Sequence, residues 1–386
     1  MPTRERLEEV RGEMARYIVA TADYARTDRL WPAHFLVFRT NPMSIAYGAT
    51  GVAVFLQAAL GEIPAPVAEW IRGRRVRAAN YPPGLLVGSA GVAYALSELR
   101  MDEQAEEAME ACYASPLLFR DATLFYGAAG WGRVSLYLHR RTGDERYLER
   151  AAEAAEFLVR TAERDDGGLF WTHAVDGKVH LGFGWGSSGV GLFLLEAGLA
   201  AGRDEWVEAA TAALEFDLAN RGEDRYGWTW NDTRGGVLSL PYWGHGSAGV
   251  GLVAARFHQA LGDPRWLEVA EHVAELAFVK WSILPSVVDG LSGIGEFMLD
   301  MHLLTGDEVH LERAHQIADT VLWYALERPE GTAFPGRWLN RISNDWATGS
   351  AGIGLFFDRL LSPRPHFIAD LGASAATELA GRGVPA

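Results

Sequence analysis

Four side chains able to move protons stand beside glycines that open apolar runs. His245 immediately precedes Gly246, Asp289 immediately precedes Gly290, Tyr126 immediately precedes Gly127, and Asp121 lies a little upstream of the same glycine. An imidazole takes or gives a proton near neutral pH, and a carboxylate orients it or acts as an acid. A phenol donates a hydrogen bond to a developing anion. Bland readings stand beside these: a histidine bonded to a neighbouring carbonyl, and an Asp accepting the first N–H groups of the helix that follows it.

The glycines belong to a repeat. Gly-x-x-Gly occurs at Gly48–Gly51, Gly88–Gly91, Gly127–Gly130, Gly186–Gly189, Gly246–Gly249, Gly290–Gly293 and Gly349–Gly352, with Ala, Ser or Thr between except at Leu291. The segment after each is apolar on nearly all sides, as in Val250–Ala255, which marks a buried helix. Gly143, Gly202, Gly262 and Gly306 stand at one common offset from the second glycine of their units, where a left-handed C-cap belongs. Asp144, Asp263 and Asp307 follow as N-caps, with Asp204 in a similar place, and open amphipathic helices such as the one carrying Leu148, Ala151, Ala155 and Leu158. Each unit is thus an inner apolar helix and an outer amphipathic one.

The expected fold is all-α: an α/α toroid of seven inner and seven outer helices forming one domain over 1–386. Its repeat core spans about 43–361, and 362–386 is a C-terminal helix or tail. The longer intervals carry aromatic, β-like segments at 167–184 and 226–243, expected as short hairpins on one rim, where repeat arrays carry function.

Composition narrows the function. The chain is 49% hydrophobic and 22% charged, and its 35 basic against 50 acidic residues give a net charge of −15. That disfavours nucleic acid and suits a soluble cytoplasmic protein. No apolar run reaches the roughly 20 residues of a membrane span. The one cysteine, Cys112, excludes an internal disulfide and a Cys-rich zinc site, and reads as a buried spectator.

Seven glycine turns in register, with the aromatic approach Leu240-Pro241-Tyr242-Trp243, resemble the LanC-like lanthionine cyclase family. That family binds zinc through a Cys before the fifth turn and a Cys-His pair before the sixth. Here Gly244, Val288 and Asp289 stand at those positions, and Trp185 replaces a further His before the fourth turn. The chain therefore resembles the zinc-lacking cyclase domains of class III lanthipeptide synthetases, which follow lyase and kinase domains. It has no kinase signature of its own, and so reads as an excised domain or as a discrete partner of a separate kinase and lyase.

The resemblance implies that a peptide Cys thiol adds to dehydroalanine or dehydrobutyrine in a dehydrated precursor peptide, giving lanthionine or, by a second addition, labionin. His245 is then the candidate base, Asp289 its orienting group or an acid, and Tyr126 a donor to the enolate. Asp121 is an imperfect match for the family's acidic residue, since Thr123 holds the closer position. Trp171, Trp185, Trp243 and Trp346 are candidate walls for the peptide. No metal or other cofactor is expected. A non-catalytic peptide-binding relative and a carbohydrate-active α/α toroid are the alternatives, the latter weakened by the scarcity of paired carboxylates before the glycine turns.

Overall fold

The computed structural model describes residues 1–371 except 80, 225, 226 and 239. In chain order its helices are α1 (Arg4–Ala20), α2 (Ala49–Leu60), α3 (Ala65–Arg72), α4 (Ser89–Glu98), α5 (Asp102–Tyr113), α6 (Ala128–Thr142), α7 (Glu145–Thr161), α8 (Ser187–Ala201), α9 (Asp204–Ala219), α10 (Ser247–Leu261), α11 (Pro264–Ala277), α12 (Leu291–Thr305), α13 (Glu308–Leu322) and α14 (Ser350–Leu361). The even-numbered ones are the inner layer. Each begins at the residue after the first glycine of its Gly-x-x-Gly turn, as the repeat requires. Neighbouring inner helices pack side by side around the ring, and α14 meets α2 to close it. The toroid expected from the repeat is the fold of this chain.

Local capping follows the sequence closely. Gly143, Gly202, Gly262 and Gly306 are left-handed at the ends of their helices, and the carboxylates of Asp144, Asp263 and Asp307 accept the amides of Arg146, Arg265 and Val309. Asp204 departs from this pattern. It sits in the first turn of α9, where its charge favours the helix N-terminus without capping it.

The close approach of inner helices depends on a further glycine two residues beyond the turn. Gly132, Gly251, Gly295 and Gly354 receive the rings of Phe193, Phe297, Phe356 and Phe55, each from the next inner helix around the ring. A Cβ at Gly295 would lie 2.3 Å from Phe356 Cζ. Gly295→Ala is therefore expected to destabilise the fold by about 1–3 kcal/mol in a denaturant titration. Adding Phe356→Leu should recover part of the loss, and an unchanged midpoint in the single variant would refute this packing.

Strands occur as three antiparallel hairpins. β1 (Glu163–Asp165) pairs with β2 (Gly168–Phe170), β3 (Gly222–Asp224) with β4 (Gly227–Thr229), and β5 (Leu326–Arg328) with β6 (Gly331–Ala333). The sequence reading misplaced them in two ways. The first two hairpins start four residues before the expected segments, whose remainder is loop with isolated bridges such as His180–Thr233. The third hairpin was not expected, because its short Leu-Glu-Arg run continues a helical pattern without a glycine-rich break before it. Tyr226, the expected start of the second segment, lies outside the described residues.

The axis of the ring is partly filled by the chain itself. The stretch after α14 enters the ring and is held by buried cations of the inner helices. Arg133 donates to the carbonyls of Ile368 and Ala369 at 3.1 and 2.7 Å, and Tyr94 donates to that of Phe367 at 2.6 Å. Arg256 pairs with Asp370, while Arg359 pairs with Glu296 and Asp300. His366 stacks on Trp243. A cavity of about 570 Å³ remains beside this plug, lined by Tyr94, Glu296, Trp346, Arg359 and His366 among others. The described part of 362–386 is thus a docked segment without helix, and 372–386 lies outside the described residues. No helix among the described residues is long and apolar enough to cross a membrane.

Candidate functional site

The fifth turn presents His245. Gly246, which follows it, has φ +104°, and a Cβ there would fall 1.8 Å from the carbonyl oxygen of Leu240. Only glycine fits, and the turn it makes lays the His245 ring flat on Trp185, with centroids 4.0 Å apart at 3°. Trp185 in turn stacks on Phe125 at 4.2 Å. Burial against these rings pushes the imidazole pKa down to about 3, helped by the charges of His180 and Arg337. His245 is therefore neutral across the physiological range.

The sixth turn lies alongside, since the Gly244 amide donates to the Val288 carbonyl at 2.8 Å. His245 and Asp289 thus sit on adjoining turns at one mouth, without a hydrogen bond or ion pair to each other among the described residues. Asp289 does not cap α12. Its Oδ2 lies 3.5 Å from Arg337 Nη2. Burial raises its pKa, and Arg337 opposes that rise. Arg337 was not singled out from the sequence. It stands in a loop after β6 whose next two residues, Trp338 and Leu339, have φ +68° and +57°, left-handed values that side-chain-bearing residues rarely adopt. Its Nε is buried without a partner.

The positions that carry zinc in the resembling family do not fit a metal here. A Cβ on Gly244 would meet Val288 Cγ1 at 2.6 Å, so apolar packing fills the space of a thiolate. Val288 is buried and offers no ligand atom, and Asp289 faces a guanidinium rather than an empty shell.

Asp121 and Tyr126 lie on the third turn. Asp121 Oδ1 accepts the Thr123 amide at 2.8 Å, a local turn that explains why this carboxylate can stand two residues before the position occupied by Thr123. Its Oδ2 is left facing His173 Nε2 at 3.3 Å. Tyr126 approaches the same ring, with centroids 5.8 Å apart, and burial raises its phenol pKa, which keeps it a proton donor. His173 Nδ1 bonds Asp176 Oδ1 at 3.0 Å, and Asp176 Oδ2 bonds His180 Nε2 at 3.0 Å. The His180 ring is 5.8 Å from that of His245. Burial pushes the Asp176 carboxyl up, but the hydrogen bonds of His173, the Lys178 amide and His180 outweigh it and hold it well below the usual range. These three residues were missed individually, although they lie inside the 167–184 insertion. The available signal was the His-x-x-Asp-x-x-x-His spacing within a segment bounded by turn residues.

Of the four tryptophans singled out, Trp185 alone lines this cluster. Trp171 is buried and its indole donates to Leu158 at the end of α7. Trp243 and Trp346 are buried near the axis, 5.9 Å apart. Cys112 is likewise buried, its thiol donating to the Pro83 carbonyl, and burial pushes its pKa to about 12.

Comparison with known proteins fits this arrangement. The chain is 27% identical over 362 residues to a probable SapB synthase of Streptomyces coelicolor, covering 92% of this chain and 38% of that one. It is 30% identical over 132 residues, 32% of its length, to the unsaturated rhamnogalacturonyl hydrolase YesR of Bacillus subtilis, again spanning 38% of the relative. The chain thus spans well under half the length of either curated relative. Among solved structures, nisin cyclase superposes with a TM-score of 0.60 at 16% identity, covering 87% of this chain and 94% of that one, a likeness of fold. The model of the lanthionine synthetase C-like proteins matches residues 41–370, nearly the whole ring, and the chain belongs to that family.

Proposed function

We propose that the chain is a lanthipeptide cyclase that adds peptide Cys thiols to dehydroalanine or dehydrobutyrine without zinc at the glycine turns. The observation that carries this reading is the gathering of His245, Asp289, Tyr126, Asp121 and Arg337 at the mouth onto which the inner helix N-termini open. Addition of a thiolate to the β-carbon forms the C–S bond and sends the π pair into an amide enolate, which is then protonated at Cα. The helix dipoles and the Arg337 guanidinium favour that anion, and the Tyr126 phenol supplies a proton donor. Trp185, stacked between Phe125 and His245, offers its ring edge to the peptide. Attack of the enolate on a second dehydroalanine, giving labionin, uses the same groups. The substrate is a precursor peptide dehydrated by kinase and lyase partners, and the setting is the cytoplasm.

The role of His245 is narrower than that of a free-standing base. Complete transfer of a proton from a thiol of pKa ~8.5 to an imidazole of about 3 costs roughly 7 kcal/mol. His245 is a neutral acceptor that helps the thiol only when another group shares the work. The test is incubation with a dehydrated precursor peptide and counting of free thiols by alkylation. Enzyme-dependent loss of thiol at constant peptide mass is the expected result. Binding without thiol loss would make the chain a peptide-binding relative, and turnover of an oligosaccharide instead would make it a carbohydrate-active toroid.

A further inference from the structure

We infer that His173, Asp176 and His180 form a binding site for one divalent transition-metal ion of the zinc class, held on the rim insertion and not at the glycine turns. Each residue offers one ligand atom, and the three atoms lie within 4.8 Å of one another. Two imidazoles and one carboxylate favour zinc, cobalt or nickel over magnesium and calcium, which prefer all-oxygen shells. Three protein ligands leave a position for water or an exogenous ligand.

Three observations outside the ligand atoms support the site. First, ligating histidines commonly give their other ring nitrogen to a carboxylate, and His173 Nε2 faces Asp121 Oδ2 at 3.3 Å. Both atoms are buried with no hydrogen-bond partner of good geometry, as is His180 Nδ1. Second, the charge is unbalanced. Asp121 and Asp176 have no Lys or Arg partner among the described residues, and Asp121 is buried, so its carboxylate lacks a fixed counter-charge while Asp176 faces solvent. Third, the loop is preset. The His173 amide donates to the Lys178 carbonyl at 2.8 Å and the Gly177 amide to the His173 carbonyl at 2.9 Å, while His180 bridges to Thr233 of the second insertion. That holds the ligands on rigid backbone before any ion arrives.

The ion would sit at the mouth that holds His245, whose ring lies 5.8 Å from His180. Held there by His173, Asp176 and His180, such an ion would supply a Lewis acid that favours the ionised form of a thiol brought to the mouth. That role rests on the cyclase reading, while the existence of the site does not. It also revises the expectation of a metal-free chain, which considered ligands only at the glycine turns.

The experiment measures binding and no cyclisation, so its outcome is separate from that of the cyclase assay. Full-length protein is stripped with chelator, equilibrated with micromolar zinc chloride or cobalt chloride, gel-filtered and assayed by elemental analysis. About one ion per chain is expected, with cobalt giving the visible absorption of a low-coordinate site. His180→Ala and Asp176→Asn should abolish retention, Asp121→Asn should weaken affinity about 10–100-fold, and His315→Ala on α13 should retain the ion. Circular dichroism checks that each variant is folded. Wild-type protein that retains no metal, or variants that retain it equally, would overturn the site and leave the cluster as a hydrogen-bonded relay.

Discussion

Arg337→Gln is expected to lower the cyclisation rate by about 10²–10³-fold, the scale of losing one preorganised donor to a developing oxyanion. The guanidinium is the fixed positive charge at the mouth. It lies 3.5 Å from Asp289, its Nε is buried and unpaired, and its field bears on His34, Tyr47, His245 and Asp289 alike. Two consecutive left-handed residues, Trp338 and Leu339, hold the loop that carries it. Strain of this kind costs of order 1–3 kcal/mol per residue and persists where something over-determines it. Arg337→Lys should restore part of the rate by replacing the charge without the planar fork. A second readout distinguishes catalysis from support of the fold. Since Arg337 lowers the His245 pKa, its removal should raise the imidazole titration seen by NMR. A glutamine variant with unchanged kcat would remove Arg337 from the chemistry.

How much of this was legible in the sequence follows from the range of the forces involved. The ring was legible because each unit repeats the same local demand. A glycine opens every inner helix, and in three units a left-handed glycine and an Asp cap close and reopen the chain between layers. Those requirements recur at fixed offsets, so Gly246 or Asp263 can be read in isolation. The pairing of Asp121 with His173 has no such period, since one belongs to a turn and the other to an insertion from a later unit. Arg337 escaped for a related reason: it lies in the segment after the third hairpin, which has no glycine-turn register. The plug was hidden too, because Asp370 and the carbonyls of Ile368 and Ala369 meet their Arg partners only once the ring has closed. Tryptophans misled in the opposite direction. Rim and axis tryptophans have the same local composition, and only the fold separates Trp185, stacked on His245, from Trp171, spent on a helix end.

His245→Ala is expected to slow cyclisation by about 10²-fold, and the pH profile should show that its action is that of a neutral imidazole. With a pKa near 3, His245 does not titrate between pH 5 and 9, so the wild-type rate should carry no inflection from it near 6.5. The rise with pH should follow the substrate thiol alone and survive in His245→Ala at lower amplitude. Stability supplies the complementary measurement. A histidine whose folded pKa lies below its unfolded value of about 6.5 contributes stability that is fully present above that value. The contribution is lost as pH falls from about 6.5 towards 3, because the unfolded chain binds the proton first. Melting temperatures of the wild type should therefore fall through this window more steeply than those of His245→Ala, while the two proteins melt alike near pH 8. A wild-type rate profile with a clear inflection at 6–7 that disappears in His245→Ala would show the ring to be an ordinary titrating base. The flat stack on Trp185 would then not hold the ring neutral.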